Sequence, residues 1–179
     1  PGLFFDAAAD DALCLLDGVT IQYASYRSTT WNAKSWNGMV NLYQASPTLR
    51  NCAVVHGYRH GIQMEGSEAL ISGSRFADNG SAYYDIYGDP TSTPYLVGNA
   101  FNSSSPYAIR ASLRAAMQAQ GNAFAAGRAV HVIGGNLESD GTFHAEAGLS
   151  HYRIEGNIVV AGPTAPSLTI EPGVTVKFD

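Results

Sequence analysis

Two carboxylates, an arginine, a tyrosine and a histidine occupy matching places in successive segments of this chain: Gln63-Met64-Glu65, Tyr87-Gly88-Asp89, Arg110-Ala111-Ser112 and His131-Val132-Ile133. If these segments stack as neighbouring strands, side-chain alternation sets Gln63, Tyr87, Arg110 and His131 in one outward row. Glu65, Asp89, Ser112 and Ile133 form the next row. Glu65 and Asp89 then stand about one strand spacing apart, roughly 4.8 Å. Two carboxyls that close suit a retaining glycosidase, one as nucleophile and one as acid. They equally suit the hard oxygen ligands of a calcium ion, or a solvated polar face without chemistry. Arg110 offers a bidentate fork for a sugar carboxylate, and Tyr87 a flat surface for stacking.

A second group is His56, Arg59 and His60, within Val55-His-Gly-Tyr-Arg-His-Gly-Ile62. Stacking sets Asp78 beside His56 on the following turn, a pairing that orients an imidazole for proton transfer. Trp31 and Trp36 fall in a Tyr-, Ser- and Thr-rich stretch, residues 22–38, that reads as an insertion and a binding surface. A second insertion, residues 134–153, carries Asp140, His144 and Glu146. The five histidines show no zinc-type spacing; His56 and His60 are four apart, but in a turn rather than on a helix. No phosphate-cradling glycine loop or nucleophile elbow is present. The expected cofactor set is none, with calcium at Glu65 and Asp89 the one option left open.

Composition narrows the partners. Fifteen acidic against ten basic residues, with no cluster of Lys and Arg, argues against nucleic acid. No apolar run approaches the roughly 18 residues of a membrane span. At 179 residues the chain reads as one domain, 1–179. Cys14 and Cys52 sit in apolar phrases and read as buried free thiols.

What must position these side chains is a repeated phrase. It runs Leu16–Ile21, Leu49–Val54, Ile71–Phe76, Leu96–Phe101, Ala119–Phe124 and Ile154–Val159, with starts separated by 33, 22, 25, 23 and 35 residues. A period of twenty-odd residues is the mark of a solenoid whose turns cannot fold alone. The last position, from Ile21 and Val54 to Phe76, Phe101, Phe124 and Val159, forms one internal column. The fourth position holds Asn99, Asn122 and Asn157, expected to ladder through their amides. The preceding glycines, Gly98, Gly121 and Gly156, read as corners that need the left-handed conformation. A second strand follows, its inward residues Ile62 and Met64, Ile86 and Gly88, Ile109 and Ala111, Val130 and Val132. Residues 111–120 are good helix formers, but they overlap the phrase and are expected to be overridden.

The repeated x-x-Gly-Asn-x-Phe phrase, with Gly61-Ile62 and Ala108-Ile109, resembles the right-handed parallel β-helix superfamily of pectin-lyase-like fold over about residues 13–160. That resemblance implies an all-β, single-stranded parallel β-helix of about six to seven rungs. The tail, Gly156–Val160 followed by Ser167–Phe178, resembles the opening segment of β-helix modules in large bacterial surface and secreted proteins, so 154–179 is expected to be a terminal rung. Residues 60–67 resemble the His-Gly motif of polygalacturonases, without that family's acidic signatures.

The Thr-Val-Lys-Phe ending and the Pro1–Phe5 opening would join as consecutive strands. The chain is therefore expected to be about one period of a longer array, with head-to-tail or edge pairing of copies through its terminal rungs. Functionally, the resemblance implies a non-catalytic module outside the cell or at its surface, acting as spacer, adhesive or polysaccharide-binding surface. The alternative is a polysaccharide lyase or glycosidase using Glu65, Asp89 and Arg110, with Tyr87, His131, Trp31, Trp36, His56, His60 and Asp78 around the substrate.

Overall fold

The computed structural model describes residues 2–179; Pro1, the first residue of the proposed joining segment, lies outside the described residues. The chain winds as a parallel β-solenoid of about six turns. The first sheet stacks Leu15–Asp17, Thr48–Arg50, Leu70–Ser72 and Tyr95–Val97. The bridge Val97↔Gln120 extends it, and Gly141–Phe143 pairs with Leu168–Ile170 at the far end. The second sheet stacks Thr20–Gln22, Ala53–Val55, Arg75–Ala77, Ala100–Phe101 and the start of Ala123–Leu137. The third runs from Leu3–Phe5 through Gly38–Tyr43, His60–Glu65, Ile86–Gly88 and Tyr107–Ser112. It continues into the rest of Ala123–Leu137, Ala147–Val160 and Val176–Phe178.

The repeated phrase sets the register of the first two sheets. Leu16 lies on Leu49, Leu49 on Ile71 and Ile71 on Leu96. Ile21, Val54, Phe76, Phe101 and Phe124 form the expected internal column. Phe76, Phe101 and Phe124 stack with centroids 5.1 Å apart at each step. Large apolar side chains removed from water in this way supply most of the folding drive, about 25 cal/mol per Å².

The corner between these sheets is built as the sequence suggests. Gly73, Gly98 and Gly121 have φ of 56°, 64° and 67°, a region that costs other L-residues roughly 1–2 kcal/mol. Inside the corner runs a polar ladder. The Ser74 hydroxyl accepts from Cys52 N at 3.0 Å, Asn99 Oδ1 from Ser74 N at 2.9 Å and Asn122 Oδ1 from Asn99 N at 3.0 Å. The Asn99 and Asn122 amides donate back to Ile71 O and Leu96 O. Buried amides are thereby satisfied on both sides, the condition for tolerating them in a core.

Four expectations need correction. The sixth phrase does not join its column: Ile154 pairs with Val132 in the third sheet, and Asn157 is exposed. The rung above Asn122 carries Glu146 instead, whose Oε2 accepts from Asn122 N at 2.6 Å. Burial, opposed by those hydrogen bonds, holds the Glu146 carboxyl above the ordinary range.

Residues 134–153 are not a loop insertion. They finish Ala123–Leu137, form Gly141–Phe143 and begin Ala147–Val160. These two long strands carry the chain around a corner from the second sheet to the third. Residues Leu113–Gln118 do form a helix, capped by Ser112, whose hydroxyl accepts from Ala115 N. There the first-sheet strand shrinks to the single bridge at Gln120. The buried face of Leu113, Ala115, Ala116 and Met117 fills the space instead, so propensity prevails where the sheet makes no competing demand. Cys52 is buried and Cys14 only half-buried; both are free.

Within residues 22–38 lies an antiparallel hairpin, Thr29–Trp31 with Lys34–Trp36. Its turn residues Asn32 and Ala33 have φ of 51° and 58°, the positive pair of a type I′ turn. The hairpin folds over the third sheet: Asn37 N donates to Gln63 Oε1 at 2.7 Å, and Lys34 Nζ forms an ion pair with Glu65.

Candidate functional site

The outward row of the third sheet is the one the sequence lays out, and it is longer. Strand pairing places Gln63, Tyr87, Arg110, His131, Arg153 and Lys177 on successive rungs. Each is spaced from the next by about 4.8 Å. Inward neighbours Ile62, Ile86, Ile109 and Val130 are buried and fix the backbone from below. Gln63 lies under the hairpin, so the open part of the row begins at Tyr87.

The side chains from Tyr87 onward form one connected group. The Arg110 guanidinium lies over the Tyr87 ring at 5.1 Å and donates to Gly88 O at 3.2 Å. Glu155 Oε2 stands 3.5 Å from Arg110 Nη2 and 3.4 Å from His131 Nε2. The His131 contact lacks hydrogen-bond alignment, and Nε2 is buried without a partner. His131 Nδ1 meets the Tyr84 hydroxyl at 2.9 Å. Arg153 stacks over Tyr107 at 5.3 Å, hydrogen-bonds its hydroxyl, and donates through Nε to Asp179 Oδ1 at 2.6 Å.

Burial lowers the His131 pKa, against the attraction of Glu155, so the ring is neutral near pH 7. Burial raises the Tyr84 hydroxyl above its ordinary value. The surface thus combines fixed guanidinium donors, a carboxylate acceptor, aromatic faces and a neutral imidazole. That set matches hydroxyls and carboxylates on a flat, extended ligand.

Glu65 and Asp89 occupy adjacent rungs, but the structure does not converge them with Arg110. Glu65 is paired to Lys34. Asp89 caps its own turn, accepting from Thr91 Oγ1 and Ser92 Oγ at 2.6 Å each and from Gly66 N at 3.2 Å. Despite partial burial, those bonds hold the Asp89 carboxyl below its usual range. The spacing reasoning had the register correct, but the sequence does not show that each carboxylate has a nearer partner. Among the described residues no three His, Cys, Asp or Glu side chains come together as a metal cluster.

His56 and Asp78 are neighbours, Nδ1 to Oδ2 3.5 Å, with Tyr23 stacked on the His56 ring at 5.4 Å. All three share a corner position with φ of 55° to 59° and point to solvent. His60 is elsewhere and buried. Its Nδ1 accepts from Tyr84 N at 3.0 Å, and burial pushes its pKa down to about 4. It braces Tyr83, Tyr84 and Tyr87.

Beneath that group Asp85 is 1% exposed. It accepts from Asn79 Nδ2 at 2.7 Å and from Ser103 Oγ. Burial nonetheless raises its pKa to about 6.

Trp31 and Trp36 pack together at 6.3 Å in the hairpin, with Phe4 and Tyr43 against them. His144, noted only as a polar loop residue, pairs through Nδ1 with Glu171 at 3.0 Å.

Sequence reasoning missed Tyr84, Tyr107, Arg153 and Glu155. Tyr107 was hidden, because alternation from the inward Ile109 sets it on the core face and only the irregularity between Tyr107 and Ile109 turns it outward. Arg153 and Glu155 were hidden because their strand was assigned to the wrong column. Tyr84 comes from a turn, where no periodicity operates.

A family model described as a right-handed β-helix region matches residues 4–165 of the chain. No curated protein and no solved structure matches it.

Proposed function

The chain belongs to the right-handed β-helix family, and on that premise we propose that it is a glycan-binding module of a secreted or cell-surface protein, with an anionic polysaccharide lying along the open row of the third sheet. The observation that carries this proposal is the run Tyr87, Arg110, His131 and Arg153 on four successive rungs, flanked by Tyr84 and Tyr107. Strand spacing is close to the advance of one pyranose unit along an extended chain, so a polysaccharide parallel to the solenoid axis meets one outward side chain per sugar. Arg110 and Arg153, two rungs apart, address carboxylates on alternate units, and the aromatic rings address sugar faces. Arg110 and Arg153 are each shared with a carboxylate of the protein, Glu155 and Asp179, and Lys177 on the next rung leaves the row one cation in excess, a small bias toward acidic over neutral chains.

The test is affinity electrophoresis through gels containing polygalacturonate, alginate or a neutral β-glucan. Retardation by the acidic polymers is expected, weakened at least tenfold in the double variant Arg110→Ala/Arg153→Ala. Equal retardation of variant and parent, or retention by the neutral glucan alone, defeats the proposal.

A second reading is favoured by one contact, the Tyr84 hydroxyl at 2.9 Å from His131 Nδ1, beside Arg110. A neutral imidazole and a phenol next to a guanidinium that neutralises a uronate carboxylate suit β-elimination. Release of unsaturated uronates, followed by ultraviolet absorbance and abolished by Tyr84→Phe, would support a lyase. Binding without product supports the module.

A further inference from the structure

We propose that the hairpin carries a separate binding site for a neutral pyranose, stacked on Trp31. Between the hairpin and the turn after Leu3–Phe5 lies an open cavity of about 400 Å3, lined by Asp6, Ala7, Ala8, Trp31, Asn32 and Tyr43. This site does not depend on the third-sheet proposal, and its ligand chemistry differs.

The walls are held in place. Trp36 is 2% exposed and forms the base of the cluster. Its Nε1 donates to Trp31 O at 3.1 Å, tying the two hairpin strands. Trp31 sits 5.7 Å from Phe4 and 6.0 Å from Tyr43. Trp31 itself remains half-exposed on the cavity. Asp6 uses Oδ1 to accept from Ala8 N at 2.9 Å. Among the described residues its Oδ2, the Asn32 amide and the Tyr43 hydroxyl hold no hydrogen-bond partner.

Those groups define the ligand class. An indole face with a carboxylate and an amide at its edge matches a sugar ring, whose C–H face stacks while its hydroxyls donate to Asp6 and pair with Asn32. The Asp6 charge disfavours a uronate. A cationic ligand is disfavoured because the Lys34 ammonium already lies over the Tyr43 ring at 4.8 Å.

The chain holds only two tryptophans, and both lie here. Tryptophan emission, excited at the red edge where tyrosine does not absorb, therefore reports this site and not the Tyr–Arg row. The experiment titrates the protein with cellohexaose, mannohexaose, xylohexaose and laminarihexaose, with trigalacturonate and tetramethylammonium as the contrasting probes. At least one neutral hexasaccharide is expected to give a saturable emission change and to shield Trp31 from acrylamide. Trp31→Ala, whose Trp36 still emits, is expected to abolish the change. Asp6→Asn, which leaves the aromatic cluster whole, is expected to weaken binding about tenfold. Arg110→Ala/Arg153→Ala is expected to leave the titration unaltered, so the two sites fail or stand separately. The proposal is overturned if none of the four hexasaccharides alters the emission, if the change survives Trp31→Ala, or if trigalacturonate or tetramethylammonium is the tighter ligand.

Discussion

His60 and Asp85 make opposite demands on the pH dependence of folding, and the two are separable by mutation. Asp85 ionises at about 6 in the folded chain against 3.8 for the free side chain. As pH rises between those values the unfolded chain loses this proton first, so stability falls. The full drop, at 1.36 kcal/mol per pKa unit, is about 3 kcal/mol. His60 ionises at about 4 when folded against 6.5 when free. Between those values the unfolded chain binds a proton that the folded chain excludes, because burial penalises the charged imidazolium, with the nearby Arg59 adding to the effect. Stability therefore rises with pH, again by about 3 kcal/mol.

In the parent protein the two trends largely cancel between about pH 4 and 6.5. Asp85→Asn keeps an acceptor for Asn79 and Ser103 and removes the charge. Its stability relative to the parent should climb by about 3 kcal/mol across that window. His60→Gln should show the reverse slope. Urea unfolding followed by far-ultraviolet circular dichroism at a series of pH values reads both differences. Two flat difference curves, or two of the same sign, would refute the assignment of these buried groups.

Four further outcomes follow from the scaffold. Phe101→Ala removes the middle ring of a buried stack and should cost about 3–5 kcal/mol by urea unfolding, with the larger values if the gap does not close. Asn99→Ala leaves Ser74 N and Ile71 O without their ladder partner and should cost several kcal/mol, from roughly 1–3 for each orphaned group. Gly98→Ala meets no atom within 4 Å and pays only for its φ of 64°, about 1–2 kcal/mol. Gly148→Ala places a methyl 2.0 Å from Phe124 O and should prevent the corner from forming, seen as a much lower melting temperature.

The five phrases from Leu16 to Phe124 were sufficient to place two sheets and the outward row, because period-2 alternation and positive-φ corners leave local marks. The sixth was deceptive for a physical reason. Gly156 has a φ of 87°, as a corner glycine does, yet it falls inside Ala147–Val160, whose pairing with Ala123–Leu137 is irregular, with shifts in register at several points. Bulges of that kind let a strand carry a corner's residues without making that corner. The partners of Glu65 and Asp89 were illegible for another reason. Lys34 reaches Glu65 only because a hairpin folds back across the sheet, and Asp89 binds hydroxyls of its own turn. Neither contact has a periodic signature.

The two long strands that cross a corner without a break also set where the molecule opens. Ala123–Leu137 and Ala147–Val160 pair along most of their length, whereas earlier rungs are joined by runs as short as Ala100–Phe101. In a one-dimensional stack each rung is protected by its neighbours, and local opening begins where the pairing is shortest. Amide hydrogens of Val130, Val132, Tyr152 and Ile154 should therefore exchange with solvent last, and those of Leu15–Asp17 and Thr20–Gln22 first, since these are short, largely exposed runs paired on one side alone among the described residues. The coil loosens from its short, one-sided rungs toward a slowly exchanging clasp.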